Sequence, residues 1–211
     1  MSACSQMRGV ASARVLAESR AGVKHGKWSL DALAGRFVEV MNDTAPAALT
    51  ISAGLILEAQ RRGELAAWIS DRNSSIYPPD LAAAGVDLQA FPIVQVDDRR
   101  QAMRVADMLM RSGGFALVIL DNMENTPIPL PIQTRLSGLA KRYNTLLLVI
   151  PGHCRTVRER SMASLASLRA VASQKRFGHG LFLCELSVEK DKRHSPGWSH
   201  KEIVHGTDGL C

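Results

Sequence analysis

Short apolar runs and amphipathic stretches alternate along this chain. Phe37–Met41, Ala66–Ile69, Phe91–Val96, Phe115–Leu120 and Thr145–Ile150 are runs of strand length. The last two are apolar almost without interruption, the pattern of parallel strands buried on both faces. Between the runs the spacing becomes helical. One helix is predicted from Pro46 through Ile51, Leu55, Ile56 and Leu57 to Gln60, a short one over Asp80–Ala84, and others over Arg99–Arg111 and Gln133–Arg142. Pro46 suits a first helical turn, where its missing N–H is no loss, and Gly63 after Arg61 and Arg62 is a stop signal. This β-α-β-α rhythm predicts an α/β fold with a mainly parallel sheet flanked by helices and right-handed crossovers. After Pro151 the pattern changes: His153–Met162 is polar and basic, and Ala166–Ser173, Leu181–Val188 and Trp198–Val204 predict strands of an antiparallel C-terminal extension. A short helix is predicted over Ala11–Ala21, ahead of a loop over Gly22–Lys27. The expected organisation is a leader over 1–28, one core domain over 29–205 and a short tail over 206–211.

Composition narrows the class. With 211 residues, 46% of them hydrophobic, the chain can bury one substantial core. No apolar run has the length to span a bilayer, and the first residues lack the apolar segment of a secretory signal, so a cytoplasmic protein is expected. Cys4, Cys154, Cys184 and Cys211 are scattered without a C-x-x-C pair, which predicts reduced, structural cysteines and no zinc site. Residues 1–134 hold 13 Lys/Arg against 14 Asp/Glu, whereas residues 135–211 hold 13 against 6. The basic excess therefore lies in the last third, where it suits phosphates, an acidic partner or plain solvation. His153 and Cys154, being adjacent, would point to opposite faces of a strand. His194, His200 and His205 have no carboxylate or thiol at metal-ligand spacing, and no serine or cysteine sits in a nucleophile elbow or triad. No cofactor, metal or hydrolase chemistry is expected.

Several segments, in order, resemble the RecA recombinase core: Ser29–Val40, Leu57–Gly63 with Ala67-Trp68-Ile69, Ala83–Leu88, Ala106–Gly114 with Leu117–Asp121, Arg135–Leu147 and Leu186–Arg193. Together they cover about residues 29–205. The segment that should cradle phosphate reads Glu39–Thr50. On the G-x-x-x-x-G-K-[ST] template the two glycines become Asn42 and Ala47, the lysine Ala48, and the hydroxyl residue Leu49. A compact RecA relative with a lost phosphate loop is similar to the ImuA family, with the shorter SulA division inhibitor as a further relative.

That resemblance implies a non-catalytic accessory protein of SOS translesion synthesis, acting beside RecA, an ImuB-type Y-family-like partner and, indirectly, an error-prone DnaE-type polymerase. It also leaves open an inhibitor that caps RecA or, SulA-like, division-ring filaments by protomer mimicry, and a residual nucleotide-binding switch. RecA's catalytic Glu falls close to Arg72, which cannot activate water. Asp121 stands at the Walker B position, either as a vestige of metal orientation or as a strand-end carboxylate accepting local hydrogen bonds. Arg155, Arg158 and Arg160, with Lys175 and Arg176, form a candidate basic patch for weak, non-specific DNA or an acidic protein surface. Few aromatics accompany it, Phe177 being the nearest. Val15 and Leu16 of the leader, and Lys190, Lys192, Arg193 and Trp198 near the C-terminus, are candidate protein-interface residues.

Overall fold

β1 (Phe37–Asn42) lies inside an eight-stranded sheet. The computed structural model describes residues 28–43, 47–72, 74, 76–123, 127–152, 163–178 and 180–205. On one side β1 pairs in parallel with β5 (Leu146–Pro151), and beyond it lie β4 (Phe115–Met123), β2 (Leu65–Asp71) and β3 (Ile93–Val96), all parallel. On the other side β6 (Leu168–Gly178) is parallel to β1, and β7 (Leu181–Asp191) and β8 (Ser199–His205) return antiparallel. The sheet is thus mainly parallel with an antiparallel C-terminal extension, as the run pattern predicts.

Side-chain alternation along each strand divides the core in two. Val38, Val40, Trp68, Ile119 and Leu148 face α2 (Ala47–Arg61), which buries Ile51, Leu55 and Ile56 against them. Phe37, Ile69, Val118, Leu120 and Val149 face the opposite way, toward α4 (Arg99–Ser112) and α5 (Leu130–Tyr143), which contribute Met103, Ala106, Met110, Leu136 and Ala140. Three short elements complete the fold: α1 (Leu30–Leu33), α3 (Pro78–Ala83) and a 3-10 turn at Leu88–Ala90.

The departures from pattern reading have local causes. α1 is a single turn with too few residues to show periodicity, and the Ser29 hydroxyl caps it by accepting from the Ala32 N–H. α5 begins at Leu130, before the predicted Gln133, because Pro131 is tolerated in a first turn. β6 continues past Ser173 through Gln174, Lys175 and Arg176, whose backbones pair with Cys184, Leu183 and Phe182. A ladder made by backbone groups needs no apolar side chains, so the hydrophobic pattern stops before the strand does. The leader helix predicted over Ala11–Ala21 lies outside the described residues.

Candidate functional site

The segment Glu39–Thr50, set against the phosphate-loop template in the sequence, spans the junction of β1 with α2. A helix begins with four backbone N–H groups that have no partner inside it, and a P-loop offers such groups to phosphate. Here the N–H of Ala48 donates to Oδ1 of Asn42 at 2.9 Å, so the chain's own side chain takes up one of them. Ala47 and Ala48 are fully buried, and Leu49 packs against the core. The Ser52 hydroxyl donates back to the Ala48 carbonyl at 2.7 Å. On the strand side, the Asp43 N–H donates to Ala172 O at 2.9 Å, which pins the exit of β1 to β6. Position 48 thus carries a buried methyl group and position 49 an aliphatic side chain packed on the core.

Asp121, at the C-terminal end of β4, is 3% exposed and sits beside Ser70 of β2. Its Oδ2 accepts from the Ser74 hydroxyl at 2.5 Å and from the Trp68 indole N–H at 3.3 Å. The carboxylate thereby holds the turn after β2 onto the end of β4. Arg72, in that same turn, is mostly exposed and donates from Nε to Asp97 Oδ1 at 2.9 Å. Such an exposed pair contributes little to stability.

The structure distributes the remaining sequence candidates. Lys175 and Arg176 are exposed on the distal half of β6, next to Phe177, which is also exposed. Arg155, Arg158, Arg160, Val15 and Leu16 lie outside the described residues. Near the C-terminus, Lys190 Nζ donates to Ser164 O, Lys192 Nζ approaches Leu165 O at 3.5 Å, and the Arg193 guanidinium donates to Ala32 O and Ala34 O. Trp198 is half-buried against the core, and its indole N–H donates to Asp191 Oδ2 at 3.1 Å. All four side chains make contacts within the molecule. Of the histidines, His194 meets Asp191 and His200 meets Glu202. Among the described residues, no group of His, Cys, Asp and Glu side chains is arranged as metal ligands would be.

Three buried polar groups do work that pattern reading misses. Glu39, fully buried on β1, accepts from the Ala163 N–H at 3.0 Å and from Arg169 Nε at 2.8 Å. Gln133 of α5 donates to Ile128 O and accepts from the Leu165 N–H. Together they hold the backbone at Ala163 and Leu165, ahead of β6. Arg36, 1% exposed, donates to Ser167 O and to Asp191 Oδ1, the latter at 2.5 Å. The Asp191 carboxyl lies well below the usual carboxylate range. Burial alone would raise it, but the hydrogen bonds from Arg36, the Arg193 N–H and the Trp198 indole outweigh burial. Glu39 does leave a sequence signal: a carboxylate inside an otherwise apolar strand demands a partner.

The strand order and this junction can be set beside known proteins. A family model described as the RecA N-terminal domain matches residues 26–130. RecA of Corynebacterium jeikeium (strain K411) is 36% identical over 89 residues, which cover 42% of this chain and 24% of that protein. RecA of Rubrobacter xylanophilus is 38% identical over 89 residues, with 42% and 26% covered, and RecA of Clavibacter michiganensis subsp. michiganensis is 37% identical, with 42% and 24% covered. The chain spans about a quarter of the length of the curated relatives it matches. Over the matched stretch the chain is similar to RecA, and its α/β core is RecA-like.

Proposed function

We propose that this relative of RecA is a non-catalytic accessory protein of SOS DNA damage tolerance. On this reading it is an ImuA-like adaptor that contacts RecA and an ImuB-type, Y-family-like partner, and so brings an error-prone DnaE-type polymerase to damaged DNA. The observation that carries the reading is the bond between the Ala48 N–H and Asn42. An amide that would meet phosphate is used to cap the helix internally, and neither lysine nor hydroxyl follows it. Without nucleotide chemistry, what a RecA-like core can still supply is surface. The exposed Lys175 and Arg176 offer that surface a basic edge suited to weak, non-specific DNA or an acidic partner.

Two measurements test the proposal. A ligand that binds only the folded state must raise its stability, by about 2.7 kcal/mol at a hundredfold excess over Kd. ATP with Mg²⁺ is therefore expected to leave the melting temperature unchanged, and a clear upward shift would sink the non-catalytic reading. Size-exclusion chromatography with light scattering, run with RecA and separately with an ImuB-type partner, is expected to show complexes that form whether or not ATP is added to this chain. Arrest of RecA filament growth at substoichiometric amounts would instead favour the filament-capping inhibitor. Absence of any complex with either protein would refute the adaptor.

A further inference from the structure

We propose that β8 pairs with β8 of a second copy of this chain, antiparallel about a two-fold axis at Ile203, so that two eight-stranded sheets become one. The assignment stands on the strand itself and does not depend on the damage-tolerance reading. The sheet ends at β8 on one side and at β3 on the other. An edge strand presents a row of unpaired backbone donors and acceptors, which proteins protect with short strands, prolines or bulges. β3 is short, with four residues. β8 has seven, contains no proline, and keeps an unbroken register with β7 from Leu181 opposite His205 to Ser187 opposite Ser199.

The ladder fixes which backbone groups are free. The Val188 N–H donates to the Trp198 carbonyl at 3.0 Å, just ahead of β8. Antiparallel pairs alternate between hydrogen-bonded and non-hydrogen-bonded, so His200, Glu202 and Val204 turn their backbone groups toward Leu186, Cys184 and Phe182. Lys201, Ile203 and His205 turn theirs outward, where no further strand follows among the described residues. On the sheet face away from α2, Ile203 stands 46% exposed beside the half-buried Leu183. Charge then selects the register. Centring the axis on Lys201 sets that lysine against its own copy, and centring it on Glu202 sets two carboxylates together, both destabilising. Centring it on Ile203 sets Ile203 against the copy's Ile203, Lys201 against His205 and Glu202 against Val204, with no two acids or two lysines opposed. An apolar row of Leu183, Ile203 and their copies then crosses the joint. β8 carries one lysine and one glutamate, so a strongly charged strand of either sign gains less there than a second β8. Nucleic acid fits less well too, because one lysine offers phosphates little. The net charge of +6 opposes the meeting of two copies, a repulsion that salt screens.

Site-directed cross-linking tests the register. Cα atoms of a hydrogen-bonded antiparallel pair lie about 5.5 Å apart, within the roughly 4.4–6.8 Å reach of a disulfide. In the full-length chain with Cys4, Cys154 and Cys211 changed to serine, Ile203→Cys should give a disulfide-linked dimer under mild oxidation. Lys201→Cys alone should not, whereas Lys201→Cys mixed with His205→Cys should. In sedimentation velocity the unmodified chain should self-associate with a Kd below about 1 mM, more tightly as salt rises. Ile203→Lys should weaken this association at least about tenfold at an unchanged melting temperature, because the side chain is exposed. The proposal is overturned by a chain that stays monomeric throughout, by cross-linking through Lys201→Cys alone, or by a dimer that survives Ile203→Lys. It is overturned equally if a single-stranded oligonucleotide or an acidic peptide displaces the second strand from β8.

Discussion

Asn42 ends β1, and its side-chain oxygen accepts from the Ala48 N–H in the first turn of α2. Replacing it with alanine leaves the Ala48 N–H without its acceptor. Asn42→Ala should lower stability by about 1 kcal/mol, the usual cost of a lost N-cap, read as a fall in the urea midpoint at constant slope. Cys184 makes a second prediction at this scale. Burial, aided by Glu202, pushes its thiol up to about 11, so at neutral pH it stays protonated and unreactive. Iodoacetamide should modify Cys184 only when the protein is unfolded, as site-resolved mass spectrometry would show; labelling of the folded chain at this site would contradict the burial. In the sequence Asn42 reads only as a missing glycine. Its capping role depends on where the chain returns in space, which residue type alone does not convey. Glu39 was legible as an anomaly, but its partners Ala163 and Arg169 were not.

α4 shows how far an element can be read from its residues and where the reading ends. Periodicity over Arg99–Arg111 locates it to within a residue of its observed end at Ser112. Gly113 then takes φ 71°, a left-handed conformation that costs other residues about 1–2 kcal/mol. A Cβ at this position would also lie 3.2 Å from Tyr143 Cδ1, at the end of α5. Gly113→Ala should therefore destabilise by about 1–2 kcal/mol and lower the melting temperature, whereas an unchanged melt would show that the turn relaxes freely. β4 and β5 are the most legible strands, because burial on both faces leaves continuous apolar runs. The distal half of β6 is not legible, because Lys175 and Arg176 belong to it through backbone pairing with β7. α1 escaped for the opposite reason: one turn is too short to carry a period.

Across the whole molecule, Arg36 and Asp191 join residues 155 positions apart and fasten the antiparallel extension to the parallel core. Pairs of this kind do not appear in a one-dimensional pattern, where Arg36 is only a lone charge before β1. Asp191→Asn should weaken the attachment and leave Arg36 buried without its counter-charge, at a cost of about 3–5 kcal/mol. Hydrogen exchange should then accelerate in β7 and β8 before it does in β4 and β5; uniform acceleration would argue against a joint at this place. The carboxyl is depressed in the folded state, so between its folded and unfolded values the unfolded chain binds more protons and stability rises with pH. The contribution should be complete above about pH 4 and disappear as pH falls through the lower folded value, and Asp191→Asn should flatten that acid limb. The joint between Asn42 and Ala48 has a consequence of a different kind. Its acceptor is held six residues from its donor, so its effective concentration is fixed by the tether and is at least millimolar. Any outside anion seeking that amide must first displace a competitor that dilution cannot remove.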